Sequence, residues 1–217
     1  QKDNRVSVRS INICNLGNGH KLKEVLADGP SIVCVQEVKK ARMPHYENYT
    51  CITHNVKNRG TAILVHDAIA DRVKKLKHPT ENSTGILLKN KRKTIKIINC
   101  YLPVAAPRNF NKHREALDKL TTHITNSAPV IVTGDLNGWI RSHNTHRTIW
   151  NTPAAVQGEH LEDFALKMNL DILPIDPKEN TRVSNMGNQS TLDYFMYKNI
   201  ALGPQTTSAT IIGSDHR

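Results

Sequence analysis

Val130-Ile131-Val132-Thr133-Gly134-Asp135-Leu136-Asn137 is an apolar, β-branched run that ends in a carboxylate. Val130 to Thr133 read as a buried strand, and Gly134 lets a ligand or a second backbone come close. A charge at the end of a buried strand is costly unless it is paired, protonated or bound to a metal. Three other stretches repeat the arrangement: Ile32-Val33-Cys34-Val35-Gln36-Glu37, Ser190-Thr191-Leu192-Asp193-Tyr194 and Ile211-Ile212-Gly213-Ser214-Asp215-His216. Four such places argue for one cleft at which several strands end, rich in oxygen donors that suit a hard cation. His216 adds a side chain that titrates near neutrality.

Around these stretches, strands are predicted over Val6 to Ile13, Ile32 to Gln36, Thr61 to Val65, Gly85 to Leu88, Thr94 to Tyr101, Val130 to Thr133, Leu192 to Tyr197 and Thr207 to Ile212. Helical spacing places Leu117, Leu120 and Ile124 on one face of His113 to Ile124. It places Leu161, Phe164, Ala165 and Met168 on one face of His160 to Leu170. A shorter helix over His20 to Ala27 stops at Asp28-Gly29-Pro30. Strands and helices alternate with runs of consecutive strands, the pattern of an α/β protein with two sheets face to face and helices outside. The 217 residues suffice for one domain with a sizeable core. Apolar runs such as Ala62-Ile63-Leu64-Val65 are too short to cross a bilayer, and the polar start Gln1-Lys2-Asp3-Asn4-Arg5 is no signal peptide. With no initiator Met, residues 1–217 are expected to be a single domain excised from a longer polyprotein.

The net charge is +11, unevenly spread. Residues 1–120 hold 23 Lys and Arg against 10 Asp and Glu, while residues 121–217 hold 7 against 9. The excess gathers in Arg72 to Lys77, Lys89 to Lys96 and Arg108 to Arg114. Such a field suits a polyanion, with salt-dependent binding; a solvated basic face is the plain alternative. Cys14, Cys34, Cys51 and Cys100 contain no CxxC pair, so zinc-site spacing is absent. They read as reduced residues, mostly of the core, of an intracellular protein.

Each candidate has a functional and a plain reading. Glu37 could hold magnesium, or cap the next segment and pair with Lys39 or Lys40. Asp135 could take a proton from water, with Asn137 pointing the same way; Asp-x-Asn is also an ordinary Asx-turn. Asp193 could hold an imidazole in its working orientation, or face solvent on an edge strand. His216 could stabilise charge on a phosphorane, with Asp215 beside it, or sit in a surface turn. Asn12 and Tyr101 could belong to the site or be core polar groups.

The strings Ser10-Ile11-Asn12-Ile13, Val35-Gln36-Glu37, Asn99-Cys100-Tyr101-Leu102-Pro103, Gly134-Asp135-Leu136-Asn137, Leu192-Asp193-Tyr194 and Gly213-Ser214-Asp215-His216 come in the order seen in the endonuclease/exonuclease/phosphatase superfamily. The chain resembles that superfamily over essentially its whole length. The resemblance implies a deoxyribonuclease I-like four-layer α/β sandwich, two packed mixed β-sheets flanked by helices. It implies a magnesium-dependent hydrolase of P–O bonds, with manganese as a substitute. Glu37 and Asn12 would serve the metal and Asp135 would activate water, held by Asn137. Tyr101 and His216 would contact phosphate. Asp193 would orient His216, and Asp215 would lie near the metal.

Within the superfamily the chain is most similar to the endonuclease domains of LINE-type (non-LTR) retrotransposons. The shared features are its length, Asp135-Leu136-Asn137-Gly138-Trp139 followed by Trp150, and Asn180-Thr181-Arg182 feeding a hairpin over Val183 to Gln189. That branch implies DNA contacts from Thr181, Arg182, Asn185, Ser190 and Ser214. Three departures stand out: the short tail expected after Arg217 is missing, Cys14 replaces an Asp common in AP endonucleases, and Gln189-Ser190-Thr191 replaces their Trp. The expected function is nicking of double-stranded DNA to leave a 3′-hydroxyl that a fused reverse transcriptase, carrying the element RNA, primes from. The expected location is the nucleus, with no membrane and a monomeric isolated domain. The alternatives are an AP endonuclease, an inositol-phosphate or sphingomyelin phosphodiesterase, and a catalytically dead nucleic-acid-binding module.

Overall fold

Two mixed β-sheets face each other across an apolar seam in a computed structural model. It describes residues 5–15, 20–39, 43–54, 60–77, 80–81, 83–91, 93–125, 127–145, 151–175, 180–184, 189–203 and 216. The first sheet holds β1 (Val8–Asn12), β2 (Ile32–Gln36), β3 (Tyr49–His54) and β4 (Thr61–His66), in the order β1-β2-β4-β3. The second holds β5 (Val73–Leu76), β6 (Ser83–Asn90), β7 (Lys93–Tyr101), β8 (Val130–Asp135), β9 (Asp171–Ile172) and β12 (Asp193–Lys198), in the order β5-β6-β7-β8-β12-β9. A short antiparallel pair, β10 (Arg182–Val183) and β11 (Gln189–Ser190), stands apart. Three α-helices, α1 (His20–Leu26), α2 (Phe110–Thr121) and α3 (Pro153–Met168), and short 3-10 turns at Asp67–Arg72, Pro107–Asn109 and Arg141–His143 complete the described elements.

Side-chain alternation along the strands builds the layers. Val33 and Val35 of β2 meet Leu22 and Val25 of α1, while Ile32 and Cys34 meet Ile86, Ile97 and Ile131 across the seam. In the second sheet, Ile98, Cys100, Val130 and Val132 turn away from the seam to pack on Leu117 and Leu120 of α2 and on Leu161 and Phe164 of α3. The order is therefore helix, sheet, sheet, helices, as the sequence pattern implies. Each fully buried aliphatic side chain contributes about 1.5–3 kcal/mol relative to exposure.

At one end the seam turns polar. Gln36 Nε2 donates to Asn99 Oδ1 (2.6 Å), and Asn99 Nδ2 donates to the carbonyls of Val35 and Ala62. Thr61 and Thr84 hydroxyls are 2.7 Å apart. These directional bonds fix the two sheets relative to each other just below Glu37 and Tyr101, where apolar contacts alone would allow sliding.

The helix predicted over His160 to Leu170 begins earlier, at Pro153. Thr152 caps it by accepting from Ala155 N, and Pro153 fills a first-turn position that needs no N–H. The apolar stripe concealed this start because the first turns bury Gln157 and Gly158 as well as Ala155. Strands β3 and β5 were not anticipated. β3 is a half-buried edge strand, and β5, Val73-Lys74-Lys75-Leu76, reads locally as a basic run. The strand predicted over Thr207 to Ile212 lies outside the described residues. The four cysteines are free, with Cys34 and Cys100 buried, and burial pushes the Cys100 thiol up to about 12. No helix among the described residues is long and apolar enough to cross a membrane.

Candidate active site

The strand ends converge by register. Parallel β7 and β8 put Tyr101 beside Asp135, and antiparallel β12 puts Asp193 on the other side of Asp135. In the facing sheet, parallel β1 and β2 put Asn12 beside Gln36, one residue before Glu37. Gly134 makes the first convergence possible. Its φ is +129°, and a Cβ there would lie 2.0 Å from the Cys100 carbonyl oxygen, so a side chain would force β7 and β8 apart. Glu37 (φ 54°) and Asn137 (φ 51°) take left-handed backbone where their strands end. Such conformations persist only where the surroundings hold them, and they recur at functional sites.

Two groups of side chains meet there. Asp193 Oδ2 lies 2.8 Å from His216 Nδ1, and His216 Nε2 lies 3.8 Å from Asp135 Oδ2. With Nδ1–H donating to Asp193, Nε2 is directed toward Asp135. On the other side, Tyr101 OH donates to Glu37 Oε1 (2.6 Å), and Lys39 Nζ lies 2.6 Å from Glu37 Oε2. Asn12 joins the groups: its amide nitrogen is 2.8 Å from Asp135 Oδ2 and 3.4 Å from Glu37 Oε1. Its oxygen accepts from Cys14 N, so Asn12 orients the carboxylates through an N–H. Asn137 holds Asp135 through its backbone, N to Oδ1 at 3.1 Å, while its side chain donates to Leu102 O. The Asx-turn and the site are thus one arrangement.

Charge follows burial. Asp135 is 2% exposed. Its pKa is pushed up to about 7, by burial first and by Asp193; His216, Asn12 and the Asn137 amide pull the other way. Burial would also raise Glu37, but bonds from Lys39, Tyr101 and Asn12 outweigh it and hold that carboxyl below its ordinary value.

The residues expected at DNA are partly buried in the scaffold. Thr181 is 2% exposed, and its hydroxyl accepts from both Leu192 N and Asp193 N. Ser190 is buried opposite Arg182, whose backbone bridges to His216. The base of the expected hairpin is therefore β10 and β11, joined to the site. Asn185, Ser214, Asp215 and Trp150 lie outside the described residues.

The donor set fits a hard divalent cation. Glu37 and Asp135 offer carboxylate oxygens; Lys39 pairs with Glu37 Oε2, as the plain reading of Glu37 had it, and a metal there would displace that ammonium. One oxygen each of Asp135 and Asp193 and one nitrogen of His216 also lie within 4.8 Å of one another. Asp193 Oδ1 is buried with no partner among the described residues.

Two supports escaped the sequence reading. Asn144 Nδ2 donates to Ile140 O and Thr191 O, and its oxygen accepts from Thr191 N. Tyr194 OH shares its single proton between Gly138 O (2.8 Å) and Thr191 O (2.6 Å) and accepts from Ile140 N. Together they tie the loop after Asn137 to the strand that carries Asp193. The position of Tyr194 beside Asp193 was a usable signal. Asn144 acts across 47 residues and had none.

Paired sheets with this cluster at their polar end define a hydrolytic nuclease of the endonuclease/exonuclease/phosphatase fold. The chain belongs to the endonuclease-reverse transcriptase family, whose profile matches residues 95–217, more than half of it. Similar solved structures include the AP endonuclease LMAP from Leishmania major, at 17% identity and TM-score 0.72 over 97% of this chain and 85% of that one. The endonuclease domain of TRAS1, a telomere-specific non-LTR retrotransposon, has 17% identity and TM-score 0.63 over 90% and 86%. An AP endonuclease from Archaeoglobus fulgidus has 16% identity and TM-score 0.64 over 89% and 86%. No curated protein sequence matches.

Proposed function

We propose that the chain is a magnesium-dependent endonuclease that nicks duplex DNA and leaves a 3′-hydroxyl from which a linked reverse transcriptase primes. The observation that carries the chemistry is the chain Asp193–His216–Asp135, joined through Asn12 to Glu37. Asp135, whose proton affinity is raised by burial, accepts a proton from the attacking water; a base works best when its pKa lies near the operating pH. His216, held by Asp193, donates from Nε2 to a phosphate oxygen as charge builds there. The water oxygen bonds to phosphorus as the bond to the 3′ oxygen breaks; that oxygen takes its proton from solvent and leaves as the hydroxyl, and Asp135 returns the proton taken from the attacking water to solvent. Magnesium, held by Glu37 and supported by Tyr101 and Asn12, would neutralise phosphate charge. The family's link to reverse transcriptases supports the priming role; priming from a nick in chromosomal DNA would be work in the nucleus.

A second reading, repair of abasic sites, is favoured by the likeness to the Leishmania AP endonuclease. Gln189-Ser190-Thr191 ahead of β12 weighs against it. Supercoiled plasmid with and without abasic sites separates the two. Magnesium-dependent nicking of intact plasmid, with ends that a polymerase extends, is the expected result. Cutting confined to abasic sites supports repair, and no cutting of either substrate removes the proposal.

A further inference from the structure

The lysines that dominate the charge of this chain lie away from the site. Residues 72–96 carry nine Lys and Arg against one acid, Glu81. They form β5, β6 and the start of β7. Lys74 pairs with Leu87, and Leu87 with Lys96 on the next strand; Lys89, opposite Thr94, is two residues along β6 from Leu87. Cross-strand partners and alternate residues share a face, so Lys74, Lys89 and Lys96 belong to one side of the sheet. Lys91 and Lys93 flank the adjoining turn at the rim of this face, both exposed; alternation turns Lys93 to the side opposite Thr94 and Lys96, so it borders the face at its end. Lys96 Nζ donates to His123 O at the end of α2. Among the described residues, Lys74, Lys89, Lys91 and Lys93 enter no ion pair. Their neighbours register the field: His123 is held below its ordinary pKa by burial, then by Lys96 and Lys77, and His54 by burial, then by Lys75.

Strand geometry separates this face from the site. Lys93 opens β7 and Tyr101 closes it, so the two ends are about 26 Å apart at roughly 3.3 Å per residue. The screening length at physiological salt is about 8 Å. These cations therefore do not hold phosphates at the cut. An edge strand uses lysines to discourage pairing, which accounts for Lys74 and Lys75 on β5. It does not account for Lys89 and Lys93, on the inner strands β6 and β7, or for Lys91 in the turn between them.

We propose that this face is a second DNA surface, which holds a duplex segment outside the catalytic cleft by its phosphates. A duplex presents one charge per about 1.7 Å of axis, a match for a stretch whose nine Lys and Arg far outnumber its one acid. Residues 72–96 contain no Phe, Tyr or Trp, so the face lacks the stacking platform a single strand would use. Contacts of this kind position DNA and read no sequence.

The test neutralises K74Q, K89Q, K91Q and K93Q together in the full chain. Binding of a short fluorescent duplex is followed by anisotropy with divalent ions chelated, so the reading does not depend on cleavage. Wild-type protein is expected to take two duplexes per chain and the variant one. The second binding step of the wild type should carry a log–log salt slope of about 3 to 4, near 0.9 per phosphate contact, and that step should be absent in the variant. The kcat and KM for nicking a short duplex should not change. Equal stoichiometry and slope would overturn the proposal. So would a rise in KM alongside the lost binding, which would put the lysines in the substrate grip. Displacement of the second duplex by single-stranded RNA at lower concentration than by duplex DNA would also overturn it. Wild-type protein that binds two duplexes but never nicks would sink the proposed chemistry and leave this surface standing.

Discussion

Asn12 reaches two carboxylates with one amide, and the two are tuned in opposite directions. Glu37 closes the end of the first sheet, half-buried beside Lys39 and Tyr101, and is held below its ordinary pKa. Asp135 closes the end of the second sheet, fully enclosed, and is raised to about 7. Type and spacing do not make this difference; surroundings do. A carboxylate kept charged beside a cation is suited to hold another cation. One with raised proton affinity is suited to move a proton. Titratable neighbours whose environments drive their pKa values apart divide acid–base labour in this way.

The largest expected effect breaks the pair on the Asp135 side. Asp135→Asn keeps the shape and removes the base, so nicking should slow by about 10²–10⁴. The melting temperature should not fall, because the buried site prefers a neutral group. Glu37→Gln should also stop nicking, but excess magnesium or manganese should recover part of its rate, while Asp135→Asn should stay inert at any metal concentration. Equal recovery of both variants would erase the distinction drawn between them.

A smaller effect sharpens the Glu37 side. The 2.6 Å bond from Tyr101 to Glu37 orients that carboxylate, and losing such an outer partner typically costs about 10–100-fold in metal affinity. Tyr101→Phe should weaken manganese binding by that order in calorimetry, with kcat at saturating metal much less affected. Unchanged metal affinity with a lowered kcat would move Tyr101 to the phosphate instead.

The division between the carboxylates also marks what could be read in advance. The strand ends at Glu37, Asp135 and Asp193 were legible because a charge closing or interrupting an apolar run is costly and therefore informative. Asp193 does hold an imidazole, as its strand position suggested. The opposite tuning was not legible, since it depends on the enclosure of Asp135 by β7, β12 and Asn12, elements far apart in sequence. Strands β3 and β5 were missed because an edge strand needs only one apolar face. The basic stretches were visible but their location was not. Arg108 follows the site end of β7 in the turn just before α2, whereas Lys89, Lys91 and Lys93 mark its opposite end; only strand direction distinguishes them.

The smallest effect tests whether acid loosens one side before the other. His113 of α2 is fully buried, and its Nε2 lies 3.0 Å from Leu136 O, so it steadies the loop that carries Asp135 and Asn137. No comparable bond from His113 reaches Glu37. Burial, opposed by the Leu136 carbonyl and helped by neighbouring His160, lowers the His113 pKa to about 4. The fold therefore holds the neutral ring, while the unfolded chain titrates near 6.5. Below 6.5 the unfolded chain binds a proton that the folded chain refuses. This contribution is complete above about pH 6.5 and is lost as pH falls toward 4, with a ceiling of about 3 kcal/mol. His113→Gln keeps a donor for Leu136 O but does not titrate. It should cost some stability at pH 7.5 through altered packing, yet flatten the decline between pH 6.5 and 4.5. Hydrogen exchange over the same range gives the local reading. In the wild type, amides of residues 135–139 should lose protection before those of residues 36–38, and in His113→Gln that order should vanish. Simultaneous loss at both carboxylates in the wild type would mean that acid opens the sheets together, and that His113 does not distinguish the two sides.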